Sequence, residues 1–380
     1  MLPIPNYFKY GLSVGFMGLI ILISYVELNK NTITPKKTSA DYFVEDQHFF
    51  SNSSSVYPTV DGCNCLFSTE NLTLVPHGEN VPVFIPEDLS PMEPDILDKI
   101  VVNRRDDGIL ITIAGYAMRN ELYNWIELLK EAREDSFIVF CTDTKLYLHL
   151  IVAGYEDKAV LIPDDWFIGD LELFRSTENN MLDNYLPRLS HIKTWVLQRL
   201  SYVKDINNVF LLDVNQIMLH ARTREYLQTL LHIRWDTQLI TTQDSLDQHV
   251  FNTGLIMMRT DAGDAKRVLE NTVQIQELKP GLTQQEALNK AMDQMELHVK
   301  TGMTVLLDVM HFPNGINYFE NNLSGSKGIE PYIIHINHKV GEERRELLKQ
   351  NGFWKLDQEY IDSLSEQVED IMKRREEASS

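Results

Sequence analysis

The sequence is poor in cysteine and in positive charge. Its 380 residues contain only 3 cysteines, with Cys63 and Cys65 in a C-x-C pair and Cys141 at the end of an apolar run. This set is neither a disulfide framework nor a zinc signature, and no cysteine is given a role. Lys and Arg total 35 against 55 Asp and Glu, for a formal net charge of -20. Because an acidic surface repels phosphate backbones, nucleic acid is not expected as a partner.

Long apolar runs are also scarce, and the clearest one lies near the N-terminus. Residues 10–28 are predicted as a transmembrane signal-anchor after a short tail, 1–9, since the uncharged run at 10–26 is near the lower limit for crossing a bilayer. A cleaved signal peptide is the alternative, but the run lacks a clean small-x-small site.

The orientation of this span is left open by the residues around it. Lysines follow the span more often than they precede it, which by the positive-inside rule places the remaining chain in the cytoplasm. Three N-x-S/T glycosylation triplets at Asn52, Asn71 and Asn322 have meaning only if that part is luminal.

Three further regions are predicted after the span. Residues 29–99 are rich in Asn, Ser, Thr and Pro and are interpreted as a stem. Residues 100–358 alternate short apolar runs with amphipathic stretches, which is typical of an α/β domain with a mostly parallel sheet covered on both faces. Residues 359–380 are a charged tail, interpreted as a solvated helix or a loose end.

The first half of this domain predicts a βαβαβ arrangement that commonly binds a nucleotide. Its strands are ILITIA, FIVFC and AVLIP, Asn120 is the expected N-cap of the first helix, and Gly154 is expected to end the second helix. Further strands are predicted at VFLL, LITTQ, FNTGLIMMR and TVLLDV in the second half, where Thr283 and Glu286 predict a capping box. Ligands in open parallel sheets bind beyond the carboxyl ends of the strands, so four residues are expected at the rim of a donor site: Ala114, Gly115, Thr142 and Asp143. Each of them could equally be an ordinary turn residue.

A second group of polar residues suits a divalent cation. Asp213 and Asn215 follow the buried strand VFLL, and oxygen groups two positions apart can point at one ion. His335, at the end of YIIHIN, is the candidate third ligand, and the nearby Lys339 is positioned to meet phosphate oxygens. A solvated strand end and a structural histidine are the alternatives.

Taken in order, these segments resemble the nucleotide-diphospho-sugar transferase family, which includes plant cell-wall galactosyl-, xylosyl- and arabinosyltransferases. The resemblance covers residues 108–356 and rests on the order of its motifs, which is more specific than any one of them: HIKTWVLQRLSYV, LLDVN, VFNTGLIMMR, QQEALNKAM, LLDVMHFPNGINYF, IIHINHKVG and GFW. It places Lys193 at the family's lysine, Asp213 at the first metal-binding acid and His335 in the C-terminal histidine motif.

The resemblance implies a GT-A fold, that is, a Rossmann-like nucleotide-diphospho-sugar transferase fold, with a divalent metal usually taken to be Mn2+. It implies sugar transfer with retention of anomeric configuration, from a nucleotide-diphosphate donor, a UDP-sugar in our prediction, to a glycan or glycoprotein acceptor. It also implies a single-pass type II protein of the Golgi or ER membrane with a luminal domain.

Further residues are given roles on this basis. Asp244, Asn252 and Gln285 are placed around the sugar, with Asp244 nearest the anomeric carbon; Asp244 could instead be a surface loop acid. The donor-binding residues are Ala114, Gly115, Thr142, Asp143, Lys193, Asp213, Gly254, Lys339 and Gly341, and the metal ligands are Asp213, Asn215 and His335.

Two departures from the family pattern keep a competing hypothesis open. Asn215 replaces the second acid of the metal motif, and Gln284 stands where the following helix normally begins with an acid. A catalytically inactive homologue that acts as a membrane-tethered glycan-binding or scaffold protein is therefore the alternative. A hydrolase is disfavoured, because the adjacent Asp164 and Asp165 project differently and make a poor catalytic pair.

Overall fold

The structure is a computed structural model that describes residues 72–77, 81–86, 89–167, 182–244, 250–297 and 302–379. The predicted tail 1–9, the span 10–28 and the stem up to residue 71 lie outside the described residues. Within the described part of the chain, no helix combines the length and the apolar character needed to cross a membrane.

A seven-stranded sheet forms the centre of the domain, in the order β10-β8-β9-β6-β3-β4-β5. Six strands run parallel, and β9 is antiparallel to both β6 and β8. The expectation of an α/β domain with a mostly parallel sheet is confirmed. The strands are β3 Gly108–Ala114, β4 Phe137–Cys141, β5 Ala159–Leu161, β6 Asn208–Leu212, β8 Leu239–Gln243, β9 Phe251–Arg259 and β10 Thr304–Leu307.

Helices cover both faces of this sheet, because the strands are apolar on both sides. Alternate side chains of a strand point to opposite faces, so Ile109 and Ile111 of β3 enter one core cluster while Leu110 enters the other. The described helices are α1 Pro94–Asn103, α2 Arg119–Glu131, α3 Thr144–Val152, α4 Leu182–Leu200, α5 Thr223–Ile233, α6 Gly263–Leu278, α7 Gln284–Gln294, α8 Gly341–Gln350 and α9 Gln358–Ser379.

Two small antiparallel pairs lie outside the central sheet. β1 (Leu72–His77) pairs with β2 (Val81–Pro86), within the region interpreted as a stem. β7 (Gln216–Met218) pairs with β11 (Ile333–His335), and this ribbon carries the predicted histidine ligand.

Several local predictions are confirmed, and one is wrong. Thr283 opens α7 with a complete capping box to Glu286, and Gly154 follows α3 with a φ of 84°, as expected of a glycine after a helix. Asn120 is not the N-cap of α2, since the helix begins at Arg119 after a short 3-10 turn and Met118 is its N-cap.

The predicted domain borders fall inside ordered elements. Residues 94–103 form one helix across the border at 100, and its Ile96 and Ile100 are buried in the core. The C-terminal segment is neither loose nor fully solvated: α9 buries Ile361, Leu364 and Val368. Sequence polarity obscured this because only every third or fourth residue of α9 is apolar.

Candidate functional site

The carboxyl ends of the parallel strands bring the predicted residues to one edge of the sheet. Asp213 follows β6, Asp244 follows β8, and the rim residues Ala114 and Thr142 lie at the ends of β3 and β4. Since parallel strands share their direction, their carboxyl ends meet at the same edge, which is where ligands bind in open α/β sheets.

Asp213 is held by Lys193 of α4. The ammonium nitrogen of Lys193 lies 2.8 Å from one carboxylate oxygen of Asp213 and 3.0 Å from the other. It also lies 3.5 Å from the carbonyl oxygen of Thr253. The lysine side chain is 11% exposed and the aspartate 29%, so the pair is partly shielded from water. The structure thus joins two residues that the sequence assigned separately.

Gly254 of β9 makes room for two polar side chains. A Cβ atom placed on this glycine would come within 2.6 Å of Cε1 of His335 and 2.7 Å of Nε2 of Gln216. Asp213 is tied to the same glycine, because its backbone N–H donates to the Gly254 carbonyl at 2.9 Å. Asp213, Gln216, Gly254 and His335 therefore form one cluster.

His335 is a neutral imidazole in this cluster. Burial, and in second place the positive charges of Lys193 and Arg344, lower the pKa of His335 to about 3. At neutral pH one ring nitrogen therefore carries a proton, and the other keeps a lone pair that is available to a cation.

Asn215 does not share the surroundings of His335. Its amide nitrogen lies 3.4 Å from the Ile336 carbonyl, and its side chain borders a small pocket with Ile217, Ile336 and Arg344. Ile217 and Ile336 belong to one core cluster, whereas Met218 and Ile333 of the same ribbon belong to another. The predicted ligand trio is thus not gathered on one side of the ribbon.

A hydrogen-bond relay connects Gly254 to Asp244. The Gly254 N–H donates to the side-chain oxygen of Asn252 at 2.9 Å, and the Asn252 amide donates to the Asp244 carboxylate at 2.8 Å. Asn314 donates to the Asp244 carbonyl at 3.2 Å. Asp244 and Asn252, both placed around the sugar from sequence, are therefore neighbours.

Gln285 joins this group through the backbone. Its side-chain oxygen accepts from the Thr253 N–H at 3.4 Å. One turn further along α7, Asn289 bonds to the N–H and the carbonyl of Phe251. These contacts hold the start of β9 against α7. Gln284 itself is fully buried, and both its amide atoms lack a hydrogen-bond partner.

The polar residue at the β3–β4 side of the rim, Asp143, makes hydrogen bonds to the backbone. Asp143 caps α3 by accepting from the Leu146 N–H at 2.8 Å, and its second oxygen accepts from the Tyr116 N–H at 2.8 Å. Ala114, Gly115 and Thr142 are buried beside it. With both oxygens engaged, Asp143 shapes this rim and has little capacity left for a ligand.

Lys339 is less central to the cluster than its charge suggested. Its ammonium pairs with Glu343 at 3.5 Å and is 39% exposed, and Gly341 begins α8 with a φ of 54°. Arg344, one turn further, is the cation closer to the cluster: burial lowers its pKa, while the charges of Glu121 and Asp213 act in the opposite direction.

Arg344 and Gln216 were not predicted as site residues from the sequence. Arg344 lies in a helix of mostly charged residues, GEERRELLKQ, and is flanked by charged neighbours. Gln216 is 1% exposed, although it directly follows the turn from Asp213. A glutamine that begins an otherwise apolar strand, QIM, was the available signal.

Only a set that includes carboxamides can serve as a metal site here. Among the described residues, there is no group of three or more His, Cys, Asp or Glu side chains placed to hold a metal ion. The cluster nevertheless offers a carboxylate, a neutral imidazole and the buried carboxamide of Gln216, which lacks a hydrogen-bond partner. The amide oxygen of Asn215 is unpartnered too, but Asn215 borders the Arg344 pocket. Oxygen groups with one imidazole suit a cation such as Mn2+, so the residues fit it.

No family model matches the sequence, and no curated protein matches it. Solved structures similar to this chain include the glycosyltransferase GlyE of Streptococcus pneumoniae TIGR4, with 13% identity, a TM-score of 0.42 and coverage of 68% of this chain and 64% of GlyE. The chain thus spans less than two thirds of GlyE.

Two further similar structures are matched over nearly their full length. The galactosyltransferase LgtC, in complex with donor and acceptor sugar analogs, has 12% identity and a TM-score of 0.41, over 68% of this chain and 95% of LgtC. Mouse xyloside xylosyltransferase 1 has 10% identity and a TM-score of 0.37, over 61% and 99%. In structure the chain is similar to proteins that are described as glycosyltransferases.

Proposed function

We propose that this chain is a glycosyltransferase that moves a sugar from a nucleoside-diphosphate donor, a UDP-sugar, to a glycan or glycoprotein acceptor. The observation that carries the proposal is the cluster of Lys193, Asp213, Gly254 and His335 at the carboxyl edge of the sheet, joined by a relay to Asp244. This cluster places a positively charged side chain, suited to a diphosphate, near a carboxylate that hydrogen bonds hold in position.

The diphosphate would be held by the positive side chains of this edge. Lys193 and Arg344 are partly or largely shielded from water, where a charge acts more strongly than at the surface. Lys339 is exposed enough to reach a ligand from the rim. In an acidic protein these side chains would offset the charge that builds up as the bond to the leaving diphosphate lengthens.

Mn2+ or another divalent cation is part of the proposal. Asp213 and His335, with a carboxamide oxygen, would hold it, and when bound it would neutralise charge on the leaving diphosphate. The neutral state of His335 supports this role because a protonated imidazole cannot ligate.

Asp244 is the carboxylate that we place next to the sugar. The Asn252 amide fixes one of its oxygens, and Asn252 is in turn fixed by the Gly254 N–H. A carboxylate positioned through the same glycine that borders the diphosphate cluster is preorganised relative to the donor. In a retaining reaction it would stabilise positive charge at the anomeric carbon or act as a nucleophile.

A luminal location in the Golgi or ER, with an N-terminal type II membrane anchor, completes the proposal. Asn322, one of the three glycosylation triplets, is exposed, which suits a luminal domain. Its modification can be checked by enzymatic deglycosylation of protein from a secretory host.

The proposal is tested by calorimetric titration of the full 380-residue chain with uridine and guanosine diphosphates, each with and without Mn2+. We expect metal-dependent binding of the uridine ligand that is lost in Asp213→Ala and retained in Asp261→Ala, a surface control. Sugar release from a panel of UDP-sugars then identifies the donor. A folded protein that binds neither nucleotide would refute the proposal and favour the non-catalytic homologue.

A further inference from the structure

Gln216 is a buried polar side chain without a partner. The residue is 1% exposed, and neither its amide oxygen nor its amide nitrogen makes a hydrogen bond. Burying a carboxamide without partners is costly, so such a group is expected to have a ligand in the functional state.

The position of Gln216 ties it to two predicted ligands. It closes the turn after Asp213, with its N–H donating to the Asp213 carbonyl at 3.0 Å. It is also paired directly opposite His335 in the β7–β11 ribbon. Residues opposite each other on paired strands project to the same face, so the two side chains lie side by side.

Gly254 marks the point at which both side chains converge. The position that a Cβ would occupy is 2.7 Å from Nε2 of Gln216 and 2.9 Å from Nε2 of His335. Any larger residue at position 254 would displace both side chains. The absence of a side chain at this point leaves two hydrogen-bonding groups aimed at one small space.

The backbone and the amide nitrogen of Asn215, by contrast, are engaged elsewhere, and only its amide oxygen lacks a partner. Its backbone accepts from the Ile336 N–H at 3.0 Å, and its amide nitrogen approaches the Ile336 carbonyl at 3.4 Å. These two contacts fasten the turn to β11 and direct the side chain to the Arg344 pocket.

We propose that Gln216, and not Asn215, supplies the carboxamide oxygen of a divalent-cation site whose other protein ligands are Asp213 and His335. The Gln216 amide would turn over, so that its oxygen takes the place of the nitrogen that now faces Gly254. This inference rests on the proposed function, since it concerns the same donor site. A neutral amide in place of the acid would make the ion's attachment weaker in the free protein than in the presence of the donor diphosphate, whose oxygens would add further ligands.

The proposal is tested with Mn2+ alone, by following the loss of the free-ion EPR signal as the full-length chain is titrated. We expect Gln216→Leu to weaken Mn2+ binding at least tenfold and Asn215→Leu to weaken it less. Gln276→Leu is the matched control because Gln276 is also fully buried with an unpartnered amide oxygen, but on α6; it should bind Mn2+ like the wild type.

A second variant keeps the test valid if Gln216→Leu fails to fold. In Gln216→Glu a carboxylate replaces the amide, so Mn2+ should bind at least as tightly as in the wild type and should raise the thermal unfolding midpoint by more. Mn2+ binding that is unchanged in Gln216→Leu, or more sensitive to Asn215→Leu, would overturn the proposal. Absence of Mn2+ binding by the wild type would overturn it as well.

Nucleotide titration distinguishes a wrong ligand assignment for Gln216 from a wrong proposed function. Uridine diphosphate binding by the wild type, with Mn2+ affinity indifferent to Gln216, leaves the transferase proposal standing and rejects only the ligand assignment. Loss of all nucleotide binding rejects the transferase proposal itself.

Discussion

The ammonium of Lys193 lies within 3.0 Å of both carboxylate oxygens of Asp213. Lys193 lies on the long helix α4 and Asp213 follows the central strand β6, so the ion pair links the helix to the end of the strand. A positive charge is therefore already in place on the acid that would ligate a cation. Cation and diphosphate would have to share Asp213 and Lys193, which couples the binding of one to the binding of the other.

Lys193→Met should weaken uridine diphosphate binding at least tenfold, because a cation next to the diphosphate is lost. It should also lower the free energy of unfolding by about 2 kcal/mol, less than for a fully buried pair, since Asp213 keeps 29% exposure. Titration calorimetry and urea unfolding measure the two effects. Lys327→Met, at an exposed lysine, is the control; equal losses in both variants would contradict the assignment.

Gly254→Ala should disrupt the cluster by steric overlap. The new Cβ would lie 2.6 Å from His335 and 2.7 Å from Gln216, so both side chains must shift, at a cost of about 1–3 kcal/mol. Thermal unfolding and Mn2+ titration should both change. Gly281→Ala is the matched control, since no atom lies within 4 Å of its Cβ position; an unaffected Gly254→Ala protein would show that this glycine does not hold the groups together.

Asp244→Asn should reduce sugar transfer about a hundredfold, while nucleoside diphosphate binding stays within about twofold. The carboxylate is expected to act on the sugar and not on the diphosphate. Asn252→Ala, which removes the amide that orients Asp244, should reduce transfer about tenfold. Steady-state kinetics with the identified donor, beside calorimetry, separate the two steps; parallel losses of binding and rate would argue for a purely structural role.

Stability should fall in mild acid because of His149. This residue is fully buried, contacts the Tyr123 hydroxyl at 2.8 Å and Ser365 of α9 at 3.1 Å, and burial lowers its pKa to about 4. The unfolded chain takes up the proton near pH 6.5, so this stability is complete above that pH and is lost as the pH falls towards 4, by about 3 kcal/mol.

Urea unfolding of the wild type and of His149→Asn at pH 7.5 and pH 5 tests this prediction. The difference in stability between the two proteins should shrink at the lower pH. His232→Asn, at an exposed histidine, should leave the wild-type pH dependence unchanged. A constant difference between the wild type and His149→Asn would mean that His149 is not the titrating group.

Much of the fold was predictable, because its strands are short apolar runs bounded by turn residues. Each strand from β3 to β10 in the central sheet coincides with a run identified in the sequence, and the capping box at Thr283 appears where Glu286 predicted it. The antiparallel direction of β9 was not predictable, since the direction of a strand depends on connections that a local pattern does not encode.

The site was predictable only in part. Asp213 was identified because it follows an apolar strand, whereas Asp244, Asn252 and Gly254 were assigned through the family resemblance. The structure brings the four together. Asp143 caps a helix, which is the structural alternative that the sequence left open for it. Arg344 was missed because most of its neighbours in the helix are charged, and Gln216 was missed although it begins an otherwise apolar strand.

The sequence by itself determined which segments form strands and helices and which polar residues stand at their ends, because these depend on side-chain periodicity and local capping. The tertiary structure alone decided that Lys193 meets Asp213, that Gln216 stands opposite His335, and that α9 packs on α3. Each of these depends on register and on the packing of segments far apart in the chain, where one residue of displacement sends a side chain to the opposite face.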